Sequence, residues 1–407
     1  MKQFLARLGP GLLYAGAAVG VSHLVQSTRA GAAYGLWMVV VVVLANVLKQ
    51  PFFKAGPLYA AHSGKSLIDS FHRQGKGAMA LFYLVTLSTM FAVQAVVTLI
   101  TASVLAHIFH LNLPLWQISA ALLTVCGLIL LMGHYQWLNN IMKTVIILLA
   151  VTTLVTLIAA LESYSSPTDP LKIFSFLDQS DVFFLIALVG WMPAPLDIAL
   201  WHSEWTLADQ KEGKERSIGR ADFDFKVGYW GTTFLAAAFV ALGALILRGR
   251  GIQLPDSGAA FAGEVIGMYT ATIGEWAFIF ISIAAFTTMF STTLTVLDAY
   301  PRVMRKAMGL SFPKVKGLKQ YKLWLLITIL GALFVLIFQL ENMKQLVDFA
   351  TSISFLTAPI LASMIYYAVH KLKKPIFSNF EKVLAWVGMV FLYLFSFYYL
   401  WEKYLNA

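Results

Sequence analysis

The chain has 407 residues, of which 59% are apolar and only 12% charged. A soluble domain carries about a quarter charged residues, so this composition excludes an ordinary soluble enzyme and points to a bilayer. The net charge of +10 is spread over several short segments instead of one basic stripe, which argues against a nucleic-acid partner.

Eleven apolar runs are each long enough, at about 20 residues, to cross a bilayer as a helix: about 9–30, 32–56, 79–108, 114–134, 139–162, 182–203, 227–248, 271–297, 321–340, 346–370 and 382–402. We number them as spans one to eleven. The start of the chain resembles a signal peptide, but its break at Gly20 to His23 leads straight into more apolar sequence, so it is read as a retained first span. If the N-terminus is cytoplasmic, 24 of the 30 Lys and Arg residues lie inside. Only Arg29, Lys172, Arg248, Arg250, Lys344 and Lys403 lie outside. The positive-inside rule therefore predicts a multi-pass cell-membrane protein with its N-terminus in the cytoplasm and its C-terminus outside. The lone cysteine, Cys126, sits within an apolar run; it excludes a disulfide framework and reads as a packed thiol.

Span one contains "YAGAAVGVSHL", with Gly16, Gly20, Ser22 and His23 in sequence. Small residues alone would suit close helix packing. Span six reads "VGWMPAPLDIALWH", and here packing is an insufficient account. Pro193 and Pro195 remove two backbone donors beside Gly190 and leave carbonyls without partners. Such groups persist at membrane depth only where they line a cavity or hold something. Spans one and six lie five apart, which predicts two five-helix halves of opposite topology plus one extra helix, with a polar cargo held at the two breaks. The expected units are 1–162 (first repeat), 163–181 (outer loop), 182–370 (second repeat) and 371–407 (span eleven and the C-terminus).

Candidate residues follow from these breaks. Asp197 is an intramembrane carboxylate just past the second break, functional by default or paired with a buried cation. His23 is either a hydrogen-bonded core residue or a substrate or proton group. Met192 is either packing or a soft thioether ligand that prefers transition metals to magnesium or calcium. The carbonyls of Gly20 and Val189 are candidate ligands at the two breaks. Lys49 in span two either snorkels to the cytoplasmic surface, the favoured reading, or pairs with a carboxylate such as Asp197. In span eight Thr288, Ser291, Thr292 and Thr295 share one face. They either bond between helices, the favoured reading, or complete a sodium site with span-one carbonyls. Asp298 is expected to pair with Arg302. Gln94, Asp348, Thr351 and Ser354 are further polar positions, and 204–226 is expected to form a short cytoplasmic helix. No Walker loop, HExxH, CxxC or GxSxG is present, so neither a cofactor nor an enzyme is expected.

"GPG" before span one, "RAGA" at its end, "WMP" in span six and the eleven-span plan together resemble the natural resistance-associated macrophage protein (Nramp) family of proton-coupled manganese and iron transporters. The resemblance implies an all-α polytopic membrane protein with the leucine-transporter fold, of the amino acid–polyamine–organocation superfamily, built as a 5+5 inverted repeat. It also implies symport of a divalent metal by alternating access. The family's Asp-Pro-Gly-Asn falls on Gly20, Val21, Ser22 and His23, so its metal-binding Asp and Asn are Gly20 and His23 here. Its Ala-x-x-Met-Pro-His falls on Val189 to Ala194: Met192 keeps the sulfur ligand, Val189 keeps a carbonyl, and Ala194 replaces the histidine. The expected metal set is therefore His23, Met192 and Asp197 with carbonyls of Gly20 and Val189. Proton coupling would run through His23 or Asp197. The alternative is the same fold carrying another small solute with sodium or proton coupling through the span-eight hydroxyls. Partners are the transported species and the lipid bilayer; the oligomeric state is not legible.

Overall fold

The computed structural model describes residues 9–133, 135–162, 173–211, 217–252, 254–314, 317–338 and 342–404. Among them the secondary structure is helical throughout. Span one is two pieces: α1 (Pro10–Ala18), then a π-helical turn (Ser22–Ser27) leading into α2 (Thr28–Tyr34). Next come α3 (Met38–Ser63), the short α4 (Leu67–Gln74), α5 (Lys76–Ile108), α6 (Leu115–Met132) and α7 (Tyr135–Glu162). Span six is again two pieces, α8 (Gln179–Gly190) and α9 (Ile198–Lys211), separated by residues 191–197. Then follow α10 (Ile218–Leu242, continued as a π turn to Arg248), α11 (Gly258–Ile273), α12 (Ala277–Ser311), α13 (Leu318–Phe338), α14 (Met343–His370) and α15 (Asn379–Tyr404).

Among the described residues eight helices are long and apolar enough to cross a membrane, and they overlap expected spans two, three, four, seven, eight, nine, ten and eleven. Spans one and six fall short because each is cut in two; span five corresponds to α7 (Tyr135–Glu162), whose stretch Ile147–Glu162 is apolar. Eleven crossings thus remain an expectation. The polar stretch 204–226 forms no helix of its own among the described residues. Instead α9 runs to Lys211 and α10 starts at Ile218, because Ser217 accepts the Arg220 amide and caps that helix. Residues 163–172 of the expected outer loop lie outside the described residues.

The two cut spans run through the middle of the bundle. α1 packs on α9, α10 and α12, while α8 packs on α14. Glycines permit the closest approaches: a Cβ on Gly31 would sit 1.9 Å from the Val240 carbonyl oxygen, and one on Gly190 would sit 2.4 Å from that of Thr351. Apolar side chains face outwards elsewhere, as Leu330 and Phe334 do on α13 and Val390, Leu394 and Phe397 on α15, the pattern of a lipid-facing surface.

Electrostatic contacts gather at the end of the bundle that charge asymmetry assigns to the cytoplasm. Asp224 of α10 accepts the backbone amides of Gly9 and Gly11 at 2.9 and 2.7 Å, placing a carboxylate at the positive N-terminus of α1. Lys54 lies between Asp222 and Glu381, and Lys306 pairs with Asp69 at 3.1 Å. Asp298 pairs with Arg302 as expected, and also accepts a 2.6 Å bond from the Tyr321 hydroxyl.

Candidate functional site

The first break begins where α1 runs out of donors. The amide of Gly20 turns back to the Ala18 carbonyl at 3.0 Å instead of reaching Gly16. The Gly20 carbonyl is not free as a ligand: it accepts the amides of His23 and Leu24 at 3.1 and 2.9 Å, because the π turn starts there. The oxygens the break opens belong instead to Gly16 and Val19. Thr292 of α12 reaches them at 3.0 and 3.4 Å.

The second break ends α8 at Gly190. Lys49 meets it from α3: its ammonium donates to the carbonyls of Val189 at 2.7 Å and Gly190 at 3.2 Å. Lys49 therefore neither snorkels nor pairs with Asp197, since it is 1% exposed and donates to the carbonyls at the negative end of α8. The Val189 carbonyl, expected as a cation ligand, already holds a cation supplied by the protein itself.

Asp197 is buried, beside Thr89 of α5 and Tyr300 of α12, and its Oδ1 has no protein hydrogen-bond partner. It thus faces spans three and eight. Met192 lies against span one, where its sulfur takes a weak 3.8 Å bond from Ser27 Oγ, so the two breaks touch directly.

His23 is held on both sides. Its Nε2 lies 2.9 Å from the Thr232 carbonyl, which can only accept, so Nε2 carries the proton. Its Nδ1 lies 2.8 Å from Ser22 Oγ, which is also 2.7 Å from the Ala18 carbonyl. The serine has one proton for two acceptors if the ring is neutral. A doubly protonated ring satisfies the whole chain: Nε2 to Thr232, Nδ1 to Ser22, Ser22 to Ala18.

Two spaces flank these residues. A closed one of about 20 Å³, room for roughly one water, is lined by Ala18, Val21, Ser22, Trp191, Pro195 and Thr292 of both breaks and α12. An open vestibule of about 700 Å³ at the other end has Arg29, Phe184, Asp256, Lys344, Asp348 and Ser352 in its wall. Between them stands a plug. Arg29 binds Asp348 with both nitrogens at 2.7 and 3.1 Å, and also Gln26 at 2.7 Å; Trp191 Nε1 donates to Ser354 at 2.8 Å. Sequence reasoning flagged Asp348 and Ser354 without their orientation, and missed Arg29 and Trp191. The three-residue spacing of Asp348, Thr351 and Ser354, which puts them on one helix face, was the available signal.

Among the described residues no group of three or more His, Cys, Asp and Glu side chains is gathered to hold a metal. The sequence and fold comparisons decide the family. The model described as natural resistance-associated macrophage protein-like matches residues 11–402. The chain belongs to the Nramp family. An uncharacterised protein of Pasteurella multocida is 33% identical to this Nramp chain over 402 residues, 96% of it and 90% of the relative. The crystal structure of the Eremococcus coleocola manganese transporter, in complex with an aromatic bis-isothiourea compound, is 13% identical with a TM-score of 0.70. That match covers 97% of this chain and 86% of that one. MhsT in complex with L-phenylalanine is 15% identical with a TM-score of 0.61, over 96% and 98% of the two chains. At these identities the likeness is one of fold: an all-helical transporter architecture of the leucine-transporter type. The protein is a polytopic membrane transporter.

Proposed function

We propose that this Nramp protein is a secondary-active transporter of the cell membrane that carries a divalent metal cation of the manganese or iron type, coupled to protons, by alternating access. One observation carries the reading: two interrupted helices meet at Met192 and Ser27, beside a closed, water-sized cavity that a plug separates from an open vestibule. Cargo would enter past Arg29 and Asp348, settle at the breaks, and leave once the ion pairs of Lys54, Lys306 and Arg302 part at the other end. The N-terminus is cytoplasmic in this reading and the vestibule faces outwards. Met192 supplies a soft ligand, and His23 and Asp197 are the proton groups. The unsatisfied hydrogen-bond count at Ser22 supports His23 as a place where a proton is gained and lost. The two halves, 1–162 and 182–370, would rock about these breaks.

A second reading is favoured by Lys49. Its ammonium fills the carbonyl end of α8 where the family holds metal, and the Gly20 and His23 positions lack the family's acid and amide. In that reading the fold carries another small solute.

Uptake of radioactive manganese into proteoliposomes, with the outside at pH 5.5 or 7.5, tests the first reading. We expect faster uptake at the acid pH, abolition in Met192→Ala, and loss of the pH effect in His23→Ala or Asp197→Asn. Absence of manganese uptake by the unaltered protein, with no calorimetric binding signal, would leave the second reading.

A further inference from the structure

Where α14 ends and α15 begins, a cavity of about 190 Å³ opens, with Tyr366, Val369, His370, Ile376, Phe377 and Lys382 in its wall. It lies at the end of the bundle that carries Lys54 and Glu381. Its walls are largely apolar and aromatic. Tyr366 stacks on His370 with ring centroids 6.2 Å apart and meets Trp386 edge-on at 5.6 Å. Trp386 Nε1 donates to the Tyr366 hydroxyl at 3.0 Å, so that hydroxyl keeps its own proton to give. The loop that rims the cavity reads "KLKKPIFS", and with Lys382 it brings four lysines, Lys371, Lys373, Lys374 and Lys382. Among the described residues none of the four is in an ion pair. Lys371 lies 5.2 Å from the centre of the Tyr367 ring, and Lys382 reaches only the Asn379 side-chain oxygen, at 3.4 Å. The one carboxylate of the segment, Glu381, is already engaged by Lys54 and the Ser378 amide. From the cavity α15 runs on with Val383, Trp386, Val387, Val390 and Leu394 exposed, a stripe at spacings of three and four.

We propose that this recess binds the headgroup of an anionic phospholipid of the cytoplasmic leaflet. Charge comes first: a basic pocket between helix ends on the cytoplasmic side attracts a phosphodiester, and each lysine near the surface adds to that attraction. The lysines here have no internal carboxylate to satisfy them, and the Tyr366 proton offers a directed bond to a phosphate oxygen. No carboxylate lines the cavity, so a metal cation is repelled. Shape comes second. The apolar walls and the exposed stripe of α15 continue from the headgroup position into the bilayer, as acyl chains do. A small soluble anion would satisfy the lysines and leave that stripe unused. Tyr366, Tyr367 and Trp386 sit at the depth where amphipathic rings mark the membrane–water boundary. A bound lipid would bridge α14 and α15. The same segment supplies Glu381 to Lys54, so ordering it steadies the sealed end of the bundle.

Thermal unfolding of the purified full chain in detergent, without any cargo, tests the site. Dioleoyl phosphatidylglycerol, dioleoyl phosphatidylcholine and glycerol 3-phosphate are titrated at one ionic strength. We expect a saturable rise in Tm with phosphatidylglycerol and none of comparable size with the other two, as binding to the folded state requires. In Lys382→Gln, and separately in Lys374→Gln, the phosphatidylglycerol concentration for half the rise should increase about fivefold, while Lys382→Arg keeps it. Neither lysine holds an ion pair, so these variants remove a ligand without orphaning a carboxylate. Lys319→Gln and Lys322→Gln, exposed lysines of α13 outside the cavity, should change nothing. Equal rises with the two lipids, a rise reproduced by glycerol 3-phosphate, or the same shift in Lys382→Gln as in Lys319→Gln would overturn the proposal. Neither cargo nor transport enters the measurement, so its outcome is independent of whether manganese is carried.

Discussion

The two breaks solve one problem differently. Both leave carbonyls without amides in the middle of a bundle, where each costs several kcal/mol if unanswered. At span six the answer is a charge: Lys49 donates to two carbonyls from a neighbouring helix. At span one the answer is a shared neutral hydroxyl, Thr292, which leaves oxygens in surplus. The contrast teaches that a broken helix is not by itself a ligand site. What matters is how many donors the neighbouring helices bring.

The comparison is broken most severely at Lys49. Lys49→Met should remove charge-assisted bonds of about 3 kcal/mol and give the largest fall in Tm, with uptake lost. A fall no larger than that of Thr292→Val would mean the ammonium does not carry the second break. Next comes Gly190→Ala, whose added methyl meets the Thr351 carbonyl and should cost about 2 kcal/mol, read as a Tm drop against Gly267→Ala, where nothing lies near. Trp191→Phe keeps the ring but drops the bond to Ser354, and should lower stability by about 1 kcal/mol while loosening the plug, seen as faster labelling of a cysteine placed at Val21 in the closed cavity.

At the sealed end the effect is pH-dependent. Burial alone would raise the Asp69 carboxyl, but the Ser66 amide and Lys306 more than offset this and hold it below the usual carboxylate range. Its contribution, about 1 kcal/mol for such a cap, is therefore complete above roughly pH 4 and fades as pH falls further. Asp69→Asn should lower Tm at pH 7 and leave little difference at pH 3. The smallest effect is Thr292→Val, about 0.6 kcal/mol, the usual worth of a hydrogen bond between membrane helices.

Both breaks were legible because proline removes a backbone donor in span six and glycine lowers helix propensity in both spans. The long spans were legible from apolar runs alone. The environments of the breaks were not. Nothing in "LANVLKQP" states that Lys49 points at α8 instead of the surface, since its rotation depends on how α3 packs. Gly20 seemed an open carbonyl because the π turn that occupies it has no sequence signature. Asp197 was correctly placed as buried, yet its neighbours Thr89 and Tyr300 come from spans three and eight, which only the folded bundle brings together. The helices at Leu67–Gln74 and Gly258–Ile273 escaped notice because they are too short or too close to a span to stand out.

The central claim is that cargo sits where the two breaks meet. Diffraction at the manganese absorption edge, from crystals grown with manganese, locates it most directly. The account predicts one anomalous peak between the Met192 sulfur and residues 19–23. A peak confined to the vestibule beside Asp256 and Asp348, with none at the breaks, would contradict it.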